Sequence, residues 1–331
     1  MTSKAYQSTE TDFEEQIQTN MKACRLCPRA CGVDRMASKT GICKMGADIY
    51  AARAALHMWE EPCISGSKGS GAVFFSGCNL HCIFCQNREI AIGDCGKKIT
   101  ISRLADIFLE LEQKGAANIN LVTATHFVPQ VLQALEIAKR HGLSIPVVYN
   151  CSGYEQVETL RMLEGYADIY LPDFKYFDRN LAAQFSHAQD YPEIAMAAIE
   201  EMVRQNPAAI FDEEGYMQKG VIVRHLILPG HTRNSKAVLR YLYETYGDSI
   251  YISVMNQYTP IYMQEKAVEL NRRVTEREYR KVLEFVWELG ITNGFVQEGE
   301  TAKESFIPMF DNEGIEPANE QKKTDKSRLV P

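Results

Sequence analysis

Long apolar runs are missing from this 331-residue sequence, and its N-terminus lacks the hydrophobic segment of a signal peptide. A membrane-spanning helix needs about 20 consecutive apolar residues, so we expect neither a membrane span nor secretion, and we predict a cytoplasmic protein. An excess of positive charge is missing as well, since 43 acidic residues against 36 basic ones leave a net charge of −7. The sequence therefore does not predict a large phosphate-binding surface, and nucleic acid is not an expected partner.

The overall composition is that of an ordinary soluble globular protein, with 45% hydrophobic and 24% charged residues. A chain of this length can bury a large core, as one large domain or two smaller ones. Because there is no export signal, the ten cysteines are better interpreted as metal ligands and core thiols than as disulfides.

Three cysteines, Cys78, Cys82 and Cys85, have the spacing C-x3-C-x2-C and directly follow an apolar run at 71–76 that predicts a buried strand. Three closely spaced thiolates on a loop suit iron–sulfur chemistry. If this loop supplies only three of the ligands of a four-iron cluster, one iron is open to a small molecule. The alternatives are a zinc knuckle, which would normally need a fourth protein ligand nearby, and free buried thiols.

Four more cysteines, Cys24, Cys27, Cys31 and Cys43, lie in a glycine-containing segment near the N-terminus. Four sulfur ligands fit tetrahedral zinc, a single iron or a second cluster, and the spacing does not choose among these. Unligated thiols are the other interpretation. A complete set of four ligands leaves no open position, so we expect a structural or electron-transfer role for this centre.

From residue 71 onwards, strand-like and helix-like segments alternate, which is the pattern of a parallel sheet. The predicted strands are 72–76, 118–123, 146–150, 167–171, 220–228 and 249–254. The predicted helices are about 100–114, 127–140, 154–164, 192–204, 235–245 and 275–289, with a long insertion at 176–191. Six such units are fewer than the eight of a complete barrel, and right-handed crossovers would curl them into an arc.

In parallel α/β folds the working residues lie just past the C-terminal ends of the strands. Polar residues follow these ends repeatedly, as an inward-facing site requires. Each of them alone has an ordinary explanation, such as a helix cap or a surface ion pair. The candidates are Thr123, Thr125, His126, Asn150, Ser152, Asp173 and Lys175.

The spacing of Cys78, Cys82 and Cys85, with an aromatic residue before the third cysteine, is similar to the signature of the radical S-adenosylmethionine enzymes. The flanks of this motif, together with residues 26–33 and 57–62, resemble the branch related to pyruvate formate-lyase activating enzyme. The resemblance extends from about Cys24 to about Pro308. It implies an α/β fold with a partial (βα)6 TIM-like barrel, a four-iron, four-sulfur (4Fe-4S) cluster, S-adenosylmethionine as cosubstrate, and a flavodoxin or ferredoxin-type reductant.

This resemblance and the element pattern together divide the chain into four parts. We predict a flexible N-terminus at 1–20, a cysteine-rich metal-binding segment at 21–65, a radical S-adenosylmethionine partial barrel at 66–308 and a disordered tail at 309–331.

The resemblance also implies roles for the candidate residues. Reductive cleavage of S-adenosylmethionine would give a 5′-deoxyadenosyl radical that removes a hydrogen atom from a substrate. Phe84 would shield the cluster from water, and the remaining residues would hold the cosubstrate: Thr123, Thr125 and His126 at the methionine amino group, Asn150 and Ser152 at its carboxylate or ribose, and Asp173 and Lys175 at the ribose, carboxylate or substrate. One departure is that Leu121–His126 stands where the family usually has a Gly-Gly-Glu-type segment.

The resemblance suggests that the substrate is a backbone glycine of a glycyl-radical enzyme partner. A different protein, a peptide or a metabolite is the alternative within this class. A non-catalytic iron–sulfur or zinc redox protein is the alternative from another class, and it would not bind S-adenosylmethionine.

Overall fold

The sheet at the centre of the molecule is open and mostly parallel. A computed structural model describes residues 19–297 and 308–317 of the chain. Within these residues one sheet contains ten strands in the order β10-β9-β8-β6-β5-β4-β2-β1-β3, with β7 paired to β8. The strands are β1 (Ile49–His57), β2 (Ser70–Phe75), β3 (Lys97–Ile99), β4 (Ile119–Val122), β5 (Val147–Cys151), β6 (Ile169–Pro172), β7 (Ile210–Phe211), β8 (Met217–Leu226), β9 (Tyr251–Met255) and β10 (Gly294–Val296).

The six predicted strands are all present, as β2, β4, β5, β6, β8 and β9, and they are consecutive parallel neighbours. Strand β10 adds a seventh parallel strand beside β9, while β1 and β3 extend the opposite edge in the antiparallel direction. The predicted fold class is therefore confirmed: the chain forms an α/β fold whose open parallel sheet is a partial TIM-like barrel. Apolar strands such as β2, buried along its whole length, supply the core between sheet and helices.

Nine helices of the described residues accompany the sheet. They are α1 (Pro62–Ser65), α2 (Arg88–Ala91), α3 (Ile101–Gln113), α4 (Val128–Arg140), α5 (Val157–Met162), α6 (Arg179–Ser186), α7 (Tyr191–Gln205), α8 (Thr232–Tyr246) and α9 (Glu276–Leu289). Thr100 caps the N-terminus of helix α3, because its side chain accepts from the Arg103 backbone. Helix α9 has a capping box between Thr275 and Glu278, and it ends at Gly290 in the left-handed conformation.

The predicted insertion at 176–191 is not free of secondary structure, because it contains helix α6. Asp178 caps this helix by accepting from the backbone of Asn180 and Leu181, and Ala182 and Phe185 are buried on its inner face. Helix α5 is shorter than predicted, since it begins only at Val157.

The segment after β1 closes the N-terminal end of the barrel. Cys63 and Ile64 of α1 pack with Val148, Ile169 and other apolar residues of the barrel interior. Asn118, just before β4, donates from its side chain to the Ile64 carbonyl at 2.8 Å. The cavity of the barrel is therefore closed at this end and accessible from the opposite one.

Residues 309–317, which the sequence predicts as the start of a disordered tail, instead pack against β1. The backbone of Ala54 donates to the Glu313 carbonyl at 2.8 Å, and Asn312 donates to Ala52 at 3.0 Å. Arg103 of α3 donates to the carbonyls of Gly314, Ile315 and Glu316. Backbone pairing of this kind needs no hydrophobic periodicity, which is why the charged sequence did not predict it.

The predicted flexible N-terminus lies outside the described residues except for 19–20, and so does the tail beyond residue 317. Among the described residues, no helix is long and apolar enough to cross a membrane.

Candidate active site

A cavity of about 240 Å³ lies at the C-terminal ends of the parallel strands. Its wall includes the last residues of several strands, among them Val122, Cys151, Leu226 and Met255. Nine predicted site residues line this one cavity, namely Cys78, Cys82, Cys85, Phe84, Thr123, Asn150, Ser152, Asp173 and Lys175. The strand-end rule therefore brings together residues that are almost 100 positions apart in the sequence.

The loop that carries the three cysteines has a constrained backbone. Gly77 has φ +88°, and a side chain added there would lie 2.5 Å from Met45 Cγ and 2.6 Å from the Cys43 carbonyl oxygen. His81, directly before Cys82, is also in the left-handed region at φ 55°. The Asn79 side chain donates to the Tyr154 carbonyl at 2.8 Å, and Leu80 is fully buried. These contacts fix the direction in which the three thiols leave the loop.

The three thiols line one wall of the cavity, and two of the sulfurs accept hydrogen bonds. The Leu80 backbone donates to Cys78 Sγ at 3.4 Å, and Ser186 Oγ donates to Cys82 Sγ at 2.9 Å. Burial raises the pKa of Cys82, and it raises the pKa of Cys85 to about 12, with the neighbouring thiols adding to the effect. Burial keeps both thiols neutral although the nearby Lys175 cation opposes this effect, and bound iron would supply a stronger positive charge.

No group of three or more His, Cys, Asp or Glu side chains in the described part of the chain is arranged to hold a single metal ion. A four-iron cluster makes a different demand, because each thiolate binds a different iron and the sulfurs stand farther apart than around one ion. Three cysteines on one cavity wall would supply the three protein ligands of such a cluster, whereas no preformed zinc site occurs among the described residues.

Beside the thiols the cavity holds a buried network of charges centred on Arg224. Its guanidinium donates to Asp173 at 3.0 Å, to Glu60 at 3.0 Å and to the Asn150 side-chain oxygen at 2.6 Å. Lys175 forms a short ion pair with the other oxygen of Asp173. Two carboxylates are thus matched by two cations, as buried charges require.

The network sets the protonation of its members. Burial alone would raise the pKa of Asp173, but the Lys175 and Arg224 cations lower it below its usual value. Burial dominates for Glu60 and raises the pKa of that carboxyl, with Arg224 opposing the shift. The pKa of Lys175 is raised because the Asp173 carboxylate outweighs the opposite effect of burial. The cavity therefore presents two permanent cations next to the thiols.

Two more predicted residues have contacts that suit their expected positions. The ring of Phe84 meets Phe185 and Tyr258 edge-on, with centroids 6.4 Å and 6.0 Å apart. Thr123 is in the left-handed region at φ 60°, and its backbone donates to the Asn150 carbonyl at 2.9 Å. A non-glycine residue held in this region marks a position that surrounding structure fixes, as is common at functional sites.

The structure does not bring Thr125 and His126 to the cavity. Thr125 donates to the buried carboxylate of Glu155 at 2.8 Å, and His126 Nε2 donates to the Ser76 carbonyl at 2.7 Å. Burial, reinforced by the nearby Arg35 cation, lowers the pKa of His126 to about 3, so its ring is neutral. Both belong to a short turn, Thr125–Phe127, that directs their side chains into the core. We therefore assign them a structural role.

Sequence reasoning missed four residues that line the cavity: His57, Trp59, Glu60 and Arg224. Arg224 carried a signal, because a lone arginine inside the apolar strand β8 needs a buried carboxylate partner. Glu60 belongs to the segment 57–62 that resembles the family, but it follows an antiparallel strand, so the strand-end rule did not place it in the site.

Comparisons with known proteins agree with this geometry. Residues 72–242 match the family model described as the Radical SAM superfamily, which is just over half of the chain. An uncharacterised protein of Methanocaldococcus jannaschii is 30% identical over 281 residues, which cover 82% of this chain and 77% of that protein.

Two solved structures are more distantly similar to this chain. Methylornithine synthase (PylB) is 14% identical, covers 95% of this chain and 85% of its own, and has a TM-score of 0.47. A domain of a pyruvate-formate lyase-activating enzyme from Bacteroides vulgatus ATCC 8482 is 12% identical, covers 52% and 92%, and has a TM-score of 0.37. These scores are too low to carry a function. The family match, which covers more than half of the chain, shows that this protein belongs to the radical S-adenosylmethionine superfamily.

Proposed function

We propose that Cys78, Cys82 and Cys85 hold a 4Fe-4S cluster, and that S-adenosylmethionine binds in the adjoining cavity. The observation that carries this proposal is that three thiols and two buried cations line the same cavity at the strand ends. When bound, the reduced cluster splits S-adenosylmethionine into methionine and a 5′-deoxyadenosyl radical, which removes a hydrogen atom from the substrate.

The residues of the chain bind and orient the cosubstrate and exclude water. Arg224 uses three of its five N–H groups within the network, and Lys175 pairs with Asp173, so both keep donors for a carboxylate. Asn150 and Ser152 lie at the same wall and supply polar groups for a ribose or carboxylate. Phe84 covers the cysteine loop, where it lowers water access to the thiols. Thr123 and its strained backbone take the place of the missing Gly-Gly-Glu segment at the amino group.

Within this class we favour a macromolecular substrate, a glycine of a glycyl-radical enzyme. The motif flanks at 77–80 and 84–87 support this choice. The side chain of Trp59 is 60% exposed although it lines the cavity, so a large partner can reach the cavity from outside. A different protein, a peptide or a metabolite is the alternative. We further propose a flavodoxin or ferredoxin-type protein as reductant and the cytoplasm as location.

The test is anaerobic reconstitution with iron and sulfide, followed by dithionite and S-adenosylmethionine. We expect the wild type to form 5′-deoxyadenosine and Cys82→Ala to form none. Cys95→Ala is the matched control, because Cys95 belongs to neither cysteine group, and it should keep the wild-type yield. Absence of 5′-deoxyadenosine from a wild type that carries a four-iron cluster would reject the proposal and favour the non-catalytic redox protein.

The substrate is tested separately, by incubating active protein with a candidate glycyl-radical enzyme. A glycine-centred radical in the electron paramagnetic resonance spectrum supports the glycyl-radical assignment. Hydrogen transfer from a peptide or metabolite into 5′-deoxyadenosine, without such a radical, would replace it.

A further inference from the structure

The N-terminal cysteines form a second thiol cluster beside the first. The N-terminal loop closes on itself through its backbone. The Cys24 backbone N–H donates to the Val33 carbonyl at 3.1 Å, and the Gly32 backbone N–H donates to the Cys24 carbonyl at 2.9 Å. A side chain at Gly41 would lie 3.1 Å from Cys31 Sγ and 3.5 Å from Cys43 Sγ, so both sulfurs border this glycine.

The cysteines of this group lie in one small region. Cys24 and Cys31 pack in the same apolar cluster, and the Cys31 and Cys43 sulfurs both border Gly41. Cys27 is buried, and its carbonyl accepts from the Ala30 backbone at 2.9 Å in a tight turn of the same segment. Among the described residues no three of these thiols are gathered tightly enough for one ion, as a preformed tetrahedral zinc site would be.

Two arginines, of which Arg35 is buried and Arg29 partly buried, attach this segment to the barrel. Arg35, which is 1% exposed, donates to the carbonyls of Gly46 and His126 at 2.8 Å and 2.6 Å. Arg29 donates to the Asn79 carbonyl at 2.9 Å and to the Ser186 and His187 carbonyls at the end of α6. Arg29 thus joins the loop of Cys78–Cys85 directly to α6. Ser186 of this helix in turn donates to Cys82 Sγ.

The two cysteine groups are also in direct backbone contact. The Cys43 carbonyl oxygen packs against Gly77, the residue before Cys78, closely enough that no side chain fits between them. The His81 ring donates to the Ile42 carbonyl at 2.8 Å, so the residues before Cys43 and before Cys82 are joined as well. Leu80 and Cys43 also belong to the same buried apolar core.

We propose that Cys24, Cys27, Cys31 and Cys43 bind a second, fully ligated four-iron cluster that passes electrons to the cluster of Cys78, Cys82 and Cys85. Four thiolates leave no iron open, so this centre does not bind S-adenosylmethionine. One electron enters it from a low-potential flavodoxin or ferredoxin-type protein and leaves it for the neighbouring cluster, with no bond made and no proton transferred. The electron is consumed when the sulfur–carbon bond of S-adenosylmethionine breaks. The relay role rests on the proposed function, whereas the metal site does not.

The site is tested with the full-length Cys78→Ala/Cys82→Ala/Cys85→Ala variant after anaerobic reconstitution, by metal analysis and Mössbauer spectroscopy. We expect about four irons per chain in a diamagnetic, fully ligated cluster that S-adenosylmethionine leaves spectroscopically unchanged. Zinc in place of iron, a single iron, or no bound metal would overturn the second cluster. This measurement does not depend on activity, so it holds whether or not the first cluster cleaves S-adenosylmethionine.

The relay is tested by comparing two reductants in Cys27→Ser and Cys31→Ser variants that retain the first cluster. Dithionite is small and reaches either centre, whereas a flavodoxin must deliver its electron at the surface. We expect 5′-deoxyadenosine formation with reduced flavodoxin to fall by about tenfold or more relative to formation with dithionite. Cys95→Ser, in neither group, should keep the wild-type ratio. The relay would be overturned if both variants kept the wild-type ratio of 5′-deoxyadenosine formed with flavodoxin to that formed with dithionite. If the wild type formed no 5′-deoxyadenosine with either reductant, that result would count against the proposed function instead.

Discussion

Arg224 holds together the charged wall of the cavity. Its three hydrogen-bonding groups contact a carboxylate from the segment after β1, a carboxylate after β6 and an amide from β5. Removing one partner of a buried ion pair leaves the other charge without compensation, which costs more than the pair contributes. Replacing both partners removes that penalty, so the pair with Glu60 can be tested by a double-mutant cycle.

We expect Arg224→Gln to lower the free energy of unfolding by about 3–5 kcal/mol, and Glu60→Gln to lower it by less. The double variant should lose less than the sum of the two, with a coupling of about 0.5–3 kcal/mol. Urea denaturation of the metal-free protein measures all three, and Arg280→Gln, an exposed residue of α9, is the control. Strict additivity would show that the two side chains do not interact.

The ionisation of Glu155 makes the free energy of unfolding depend on pH. Burial raises the pKa of this carboxyl to about 7 from 4.5, although Thr125 and Tyr149 donate to it. The folded protein therefore binds a proton that the unfolded chain has lost, and ionisation costs stability as pH rises through this range. The cost is absent below about pH 4.5 and complete above about pH 7, where it amounts to roughly 3 kcal/mol.

The variant Glu155→Gln removes this titration. We expect the unfolding free energy of the wild type, relative to the variant, to fall by roughly 3 kcal/mol from about pH 4.5 to about pH 8. Chemical denaturation at the two pH values measures the difference, and the exposed Glu158→Gln should show no such change. A wild-type-to-variant difference that is the same at both pH values would contradict the assignment.

At this scale the sequence predicted types of residue better than their contacts. The cysteines and Asp173 were found because each follows a strand, and strand ends converge in a parallel sheet. Thr125 and His126 follow a strand too, but a single 3-10 turn redirects them into the core. Spacing alone does not reveal such a turn, which depends on partners as distant as Ser76 and Glu155.

At the scale of elements, the C-terminal segment 308–317 and helix α3 cover β1 together. Arg103 is the connection, since it pairs with Glu110 of its own helix and donates to three carbonyls of the segment. Pro308 lines the cavity, so the segment also contributes to the site. Its position depends on backbone hydrogen bonds to β1, on Arg103, and on the ion pairs of Arg53 with Asp311 and Glu313 and of Lys97 with Glu316.

Arg103→Ala should therefore release the segment without unfolding the barrel. We expect faster cleavage near residues 308–317 in limited proteolysis, and a loss of about 1–3 kcal/mol in unfolding free energy from the unpaired buried carbonyls. Arg280→Ala, an exposed arginine of α9 in an i,i+4 pair, is the matched control and should behave as the wild type. An unchanged cleavage pattern in Arg103→Ala would contradict this role of Arg103 and leave the segment held by its backbone bonds and by the ion pairs of Arg53 and Lys97.

The elements themselves were largely predictable. Apolar strands separated by capped helices follow a local pattern, and all six predicted strands occupy adjacent places in the sheet. The elements that sequence reasoning missed are those whose stability comes from tertiary contacts. Helix α6 has only eight residues, and the short α1 is held by packing inside the barrel.

In the whole molecule, three features meet at one end of the barrel: the N-terminal cysteine segment, the loop of Cys78–Cys85 and the charged cavity wall. Arg29 and His81 join the first of these to the second, and Arg35 joins the first to the turn at Thr125–Phe127. The closed N-terminal end of the barrel leaves the strand ends as the route to the cavity. This arrangement suits an electron that arrives on one side of the cysteine loop and a substrate that arrives on the other.

The central claim is that three cysteines leave one iron of a cluster open to the amino and carboxylate groups of S-adenosylmethionine. The most direct measurement is electron–nuclear double resonance of the reduced protein with S-adenosylmethionine isotopically labelled at those groups, in a Cys24→Ser/Cys27→Ser/Cys31→Ser/Cys43→Ser variant that lacks the N-terminal thiols. We predict hyperfine coupling between the cluster and the labelled atoms, abolished in Cys82→Ala. A four-iron cluster that shows no coupling to the labelled groups would contradict the account.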